Sequence, residues 1–179
     1  MTVTADARTT RPAADEYAPY YGTYIAKVAD GDVIDALKGQ ITGTLGYLRA
    51  IPESRGGHRY AEGKWSIREV VGHLADAERV FAYRALRFAR DDSTPLPGFD
   101  ENRYVAATRF EERPLAALLR EYRAVREATI AFFESLTQEE WLRTGIVNGY
   151  PASVRGLAFH MVGHELHHLR VIRERYLKD

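Results

Sequence analysis

Four stretches of this sequence place apolar residues at three- and four-residue steps, and no competing pattern runs through the chain. From Asp32 to Ile51 the series is Val33, Ile34, Leu37, Ile41, Leu45 and Leu48. From Ser66 to about Arg90 it is Ile67, Val70, Val71, Leu74, Ala77, Phe81, Ala85 and Phe88. After Pro114 come Leu115, Leu118, Leu119, Tyr122, Val125, Ile130 and Phe133, and a last stretch runs from Ser153 to about Tyr176. Spacing of this kind puts the apolar side chains on one face of a helix. Punctuation agrees with it. Ser66-Ile67-Arg68-Glu69 and Thr137-Gln138-Glu139-Glu140 are capping boxes, Pro52 marks a helix end, and Pro114 is set as a first helical residue. No segment shows strand alternation, and Asn148-Gly149 reads as a plain turn. The pattern predicts an all-α four-helix bundle with a long connection between its second and third helices, in which Asp100–Ala107 forms one or two helical turns.

The rest of the composition narrows what such a bundle can be for. Lys and Arg number 25 and so do Asp and Glu, so a general pull toward nucleic acid or anionic lipid is not expected. Cysteine is absent, which excludes disulfides, cysteine nucleophiles and thiolate metal sites and leaves His, Asp and Glu as metal ligands. The polar, Thr-, Ala- and Pro-containing start predicts a flexible arm over residues 1–24, docked by Tyr17, Tyr20, Tyr21 and Tyr24, ahead of a bundle over 25–179. It carries no apolar signal core and the chain has no membrane-spanning run, so a cytoplasmic protein is expected.

Four of the six histidines, His160, His164, His167 and His168, fall in the last helix. With Leu157 as reference, His164 and His168 lie about 20° to either side of the centre of its apolar stripe. Two imidazoles one turn apart on a buried face need partners, and protonating both would set like charges side by side. A shared metal ion meets both demands, and i, i+4 spacing lets two ring nitrogens converge on it. The bland alternative is a pair of core histidines, each bonded to a carbonyl or carboxylate. His73, the sole histidine of the first three helices, borders the apolar face of the second and is the natural third ligand; His58, in a Gly-rich loop, reads as exposed. Three histidines from two helices make an open, catalytic pattern. Asp76 or Glu165 is then placed to orient a ring through its second nitrogen or to move protons, against the plainer alternative that each pairs with a neighbouring basic residue. His164-Glu165-Leu166-His167-His168 also fits the His-Glu-x-x-His pattern of zinc proteases, but Val171 stands where one such class needs glycine and Glu174 turns away from the pair. Phe159, Val162, Leu166 and Leu169 give the last helix a second apolar side, from which a homodimer is expected unless the arm covers it.

The chain resembles the DinB superfamily, the damage-inducible or YfiT-like four-helix bundles. The resemblance rests on the run from Trp65 to Glu78 containing Trp65-Ser66 and His73, on Pro97-Gly98-Phe99-Asp100-Glu101-Asn102-Arg103-Tyr104-Val105, and on His164 to His168. Leu169-Arg170 departs from it, since many members continue toward a Gln. It implies a divalent-metal site of His73, His164 and His168, with His167 beside it as a non-ligand, and a fold often found as a dimer. It also implies transfer reactions of low-molecular-weight thiols such as bacillithiol, mycothiol or glutathione, maleylpyruvate isomerisation, or hydrolysis. Imidazole suits zinc or nickel, and also iron or copper. Such an ion generates a thiolate nucleophile without any cysteine in the protein. Arg84, eleven residues after His73 on nearly the same helical line, is placed to receive carboxylates of the thiol, although an ordinary helix arginine would be exposed. A hydrolase, or a metal-binding stress-response module without turnover, would use the same three ligands.

Overall fold

The computed structural model describes residues 6–177. Its bundle consists of α2 (Val33–Arg49), α3 (Ile67–Ala89), α5 (Leu115–Glu134) and α7 (Val154–Val171), with α3 packed on α5 and α7 and α2 closing the other side. Helix starts follow local side-chain chemistry, at Ser66 as the sequence pattern predicts and at Asp32 as the structure adds. Ser66 accepts from the Glu69 amide while Glu69 reaches back to the Ser66 amide, Asp32 caps α2, and Ser153 caps α7 through the Gly156 amide. Pro114 stays just outside α5, and the Glu53 carboxylate takes up the free Leu115 amide at 3.0 Å. The long α3-to-α5 connection carries α4 (Glu101–Ala106), and α6 (Gln138–Leu142) follows α5.

Two features depart from the expected outline. An antiparallel hairpin of β1 (Thr144–Val147) and β2 (Tyr150–Ser153) precedes α7, turned by Asn148 and Gly149, both at positive φ as such a tight turn requires. Gly145 is there of necessity, since a Cβ on it would stand 2.0 Å from the Phe88 ring. The end of α7 also widens into a π-helical turn, Ile172–Tyr176, where a continuous α-helix was expected.

Residues 6–24 lie against the bundle, where a flexible arm was expected; residues 1–5 of that arm fall outside the described part. Ala7 is fully buried, Arg8 pairs with Asp32, and Arg11 donates to the carbonyls of Ile25 and Val28 at 2.7 and 2.8 Å. Glu16 binds Arg155 and the Ser153 hydroxyl. The short helix α1 (Gly22–Ile25) then lies on α7 so closely that a Cβ on Gly163 would meet the Tyr24 carbonyl oxygen at 2.1 Å. Of the four residues from which a homodimer was expected, Phe159 and Val162 are buried in the cluster that includes Tyr21 and Ile25, Leu169 is buried in a second cluster, and Leu166 is half-buried. No helix among the described residues is long and apolar enough to cross a membrane.

The core has two main apolar clusters. One takes Phe81, Phe88, Phe133, Trp141 and Phe159, the other Ile67, Val70, Leu118, Leu169 and Ile172. Along α3 and α7 the stretch between them holds the polar residues His73, Glu78, His164, Glu165 and His168, so the bundle is polar at its waist.

Candidate metal centre

His73 comes from α3, about two turns after the Ser66 cap, and His164 and His168 come from successive turns of α7. Helix packing brings the three rings together edge to face, with centroids 4.5 to 5.0 Å apart. The Nε2 atom of His164 lies 3.1 Å from Nε2 of His73 and 3.1 Å from Nε2 of His168. Among the described residues this is the one group of three metal-ligating side chains whose donor atoms lie within 4.8 Å of one another. Burial holds all three as neutral imidazole: it pushes His73 down to about 4, and it pushes His164 and His168 well below the usual range with help from the neighbouring rings.

That donor set fits a divalent cation. A neutral imidazole has a proton on one nitrogen and a lone pair on the other, so the His164 nitrogen that faces both neighbours cannot satisfy two others by donation. Two nitrogens each about 2.1 Å from a common ion stand roughly 3 Å apart, as these do. His73, His164 and His168 are therefore the residues to hold such an ion. His167 is half-buried against the edge of Tyr24, and His58 is exposed near Tyr176.

The two carboxylates expected to serve the rings are engaged elsewhere. Asp76 pairs with Arg79 at 3.2 Å, and burial raises its carboxyl above the usual range. Glu165 faces away from the triad, accepting from Arg126 at 2.8 Å and from the Thr44 hydroxyl. Arg126 in turn holds Glu78 through two bonds of 2.8 and 2.7 Å and reaches Tyr122 and the Leu37 carbonyl. Neither Asp76 nor Glu165 hydrogen-bonds an imidazole; both plainer alternatives hold, because the basic partners are within reach and the rings are not.

The triad forms the floor of a cleft of about 240 Å³. Trp65 stands 4.7 Å from the His73 ring, and Tyr24 and Phe81 flank His164. Arg84 also lines this cleft and is 4% exposed, so it is not the solvated helix arginine that its residue type suggests. It donates to the Pro97 carbonyl at 3.0 Å and to the Tyr21 hydroxyl at 3.5 Å, and lies over the Phe99 ring. His160 stacks on Tyr21 at 3.7 Å, and burial followed by the Arg84 charge pushes it down to about 3. The tyrosines of the arm are thus walls of the cleft as well as docking groups. Their clustering before α2 was the available signal. Glu101, at the start of α4, adds a carboxylate to the cleft's exposed rim beside Tyr24. It lies in the run Pro97 to Val105 that carried part of the family resemblance.

Residues 36–172 match the sequence pattern of the DinB superfamily, and the chain belongs to that family. A protein of Oceanobacillus iheyensis, described as a candidate metal-dependent hydrolase, is 29% identical over 117 residues, which is 64% of this chain and 66% of that protein. YfiT from Bacillus subtilis, described as a metal-dependent hydrolase by inference and as having an unusual four-helix bundle topology, superposes with a TM-score of 0.70 at 18% identity, over 92% of this chain and 90% of that one. The mycothiol-dependent maleylpyruvate isomerase gives 0.63 at 12% identity, over 76% of this chain and 58% of that longer one. The two superpositions establish the four-helix fold. The chain spans just under two thirds of the Oceanobacillus protein and less of the isomerase.

Proposed function

We propose that this DinB-superfamily chain is a metal-dependent enzyme that transfers groups to or from a low-molecular-weight thiol, with His73, His164 and His168 holding a divalent ion, zinc or nickel before iron or copper. The observation that carries the reading is a three-imidazole floor, open to a cleft, whose two adjoining carboxylates, Asp76 and Glu165, are both paired with arginines. A bound divalent ion supplies Lewis acidity, which brings the ionisation of a water or a thiol toward neutral pH. A thiol starts near pKa 8.5 and water near 15.7, so a thiol needs far less help from a protein base. The residues that could have given such help, Asp76 and Glu165, are tied to arginines.

The chain's own part is to prepare the cleft. Burial keeps the three imidazoles unprotonated with lone pairs available, which is the form in which they ligate. Trp65, Tyr24 and Phe81 set aromatic faces and edges beside the floor. The phenols of Tyr21 and Tyr24 are held above their ordinary range by burial, so they remain protonated hydrogen-bonding groups.

Glu101 favours a second reading. A carboxylate on the cleft rim is the group a hydrolase needs to take a proton from water, and the descriptions of the Oceanobacillus protein and YfiT point the same way. The test is to incubate metal-loaded protein with bacillithiol, mycothiol, glutathione or coenzyme A and a general electrophile, and in parallel with esters and amides without thiol. Thiol-dependent product formation that disappears on metal removal supports the transferase; turnover of esters without thiol, lost in Glu101→Gln, replaces it with the hydrolase.

A further inference from the structure

Arg84 is a buried charge that has no counter-ion among the described residues. It is 4% exposed, yet no carboxylate among the described residues lies within ion-pair distance of it. Its partners are a carbonyl, a phenol and two aromatic faces. An uncompensated buried guanidinium is costly, and the other fully buried arginine, Arg126, meets that cost with two carboxylates. A second unmet group stands beside it. The Nδ1 atom of His160 is buried without any hydrogen-bond partner, and its ring is stacked on the same Tyr21 whose hydroxyl receives Arg84. Both residues line the cleft whose floor is the histidine triad, and the His160 ring is 5.8 Å from that of His164.

We infer that Arg84, Tyr21 and His160 form the carboxylate-binding pole of this cleft, so that the small molecule whose reactive atom lies at the triad carries a carboxylate at its other end. This rests on the proposed reading for the triad's role, but the pole itself is argued from Arg84 and His160 alone. A carboxylate matches the site in charge and shape: one guanidinium offers one positive charge and a planar fork, which suits a monoanion accepting two parallel N–H bonds. A phosphate dianion would find only one cation. Glu101, the carboxylate among the cleft's lining residues, acts on Tyr24 and makes no ion pair with Arg84.

The test uses the full chain, metal-loaded and metal-free, titrated calorimetrically with a series from mercaptoacetate to mercaptohexanoate, with the matching amides, and with inorganic phosphate. At least one acid of the series is expected to bind about tenfold or more tighter than its amide, in both metal states. Arg84→Gln should bring that acid to the affinity of its amide and leave the amide unchanged, with an unaltered circular dichroism spectrum, and Arg84→Lys should keep part of the preference. Equal binding of acids and amides by the native protein overturns the inference without recourse to any variant. So does phosphate binding tighter than every acid, an equal loss for acid and amide in Arg84→Gln, or no measurable binding of any acid at millimolar concentration. Failure of the thiol reading looks different: metal then adds nothing to the affinity of any thiol, while the gap between acid and amide persists.

Discussion

Helix α7 has two polar sides at the waist of the bundle, and they are finished differently. On the side facing α5, Glu165 joins Glu78, Tyr122 and Thr44 around Arg126 in a network where charge meets opposite charge. On the side facing the cleft, three imidazole nitrogens point at one another, Arg84 has no carboxylate, and His160 keeps a buried nitrogen without a partner. Helices α3 and α7 contribute to both sides and both hold a buried arginine, Arg126 and Arg84, so burial alone does not separate them. Completeness does. The Arg126 side is closed within the chain and works as structure, whereas the cleft side leaves groups unmet that the proposed ion and ligand would satisfy.

The sharpest way to break this contrast is to remove the two arginines in turn. Arg126→Met leaves Glu78 and Glu165 buried without a cation and should lower unfolding free energy by about 3–5 kcal/mol in urea titrations. Arg84→Met removes a charge that the chain itself does not neutralise and should cost no more than about 1 kcal/mol. Equal losses would erase the distinction.

Next in size is the response to acid of the metal-free protein. His73 and His160 have folded values of about 4 and about 3, below the 6.5 they regain on unfolding, and His164 and His168 are lowered in the same sense. The unfolded chain therefore takes up protons first, so stability is full above pH 6.5 and is lost progressively as pH falls toward 4. Bound metal should flatten the loss by holding the ligands unprotonated. A metal-free urea midpoint that stays constant through this window would contradict buried neutral imidazoles.

Smaller effects are expected away from both sides. Gly163→Ala drives a methyl into the Tyr24 carbonyl and should cost about 1–3 kcal/mol, with faster amide exchange in residues 20–26 as α1 lifts from α7. Asp76→Asn breaks only a partly exposed pair with Arg79, so it should change stability by about 1 kcal/mol or less and leave metal content as it was. A large loss of metal in this variant would restore Asp76 to the site.

What could be read from the sequence follows the range of the interactions involved. The four helices were legible because periodicity and caps such as Ser66 and Ser153 act within a few residues. The triad was legible because two ligands share one helix face and only one histidine lay in the helices before it. The hairpin escaped because four-residue strands, one of them Tyr150-Pro151-Ala152-Ser153, are too short to show alternation, leaving Asn148-Gly149 as the sole hint. Docking of the arm through its tyrosines was legible, but its polar anchoring escaped because Arg8, Arg11 and Glu16 find their partners farther along the chain. Asp76 and Glu165 were assigned by proximity to the histidines, but Arg79 and Arg126 decide their roles, and the reach of Arg126 from α5 is a tertiary fact. Arg84 was named from its helical line, yet its burial depends on Tyr21, Phe99 and Pro97 closing over it.

The central claim is that His73, His164 and His168 hold one ion together. Elemental analysis of purified protein, reconstituted with zinc and then with nickel after chelator treatment, measures it directly in the native chain, His73→Ala and His58→Ala. The account predicts close to one equivalent per chain in the native protein and in His58→Ala, and a near-complete loss in His73→Ala with the helical spectrum retained. Equal metal content in His73→Ala and His58→Ala would contradict it.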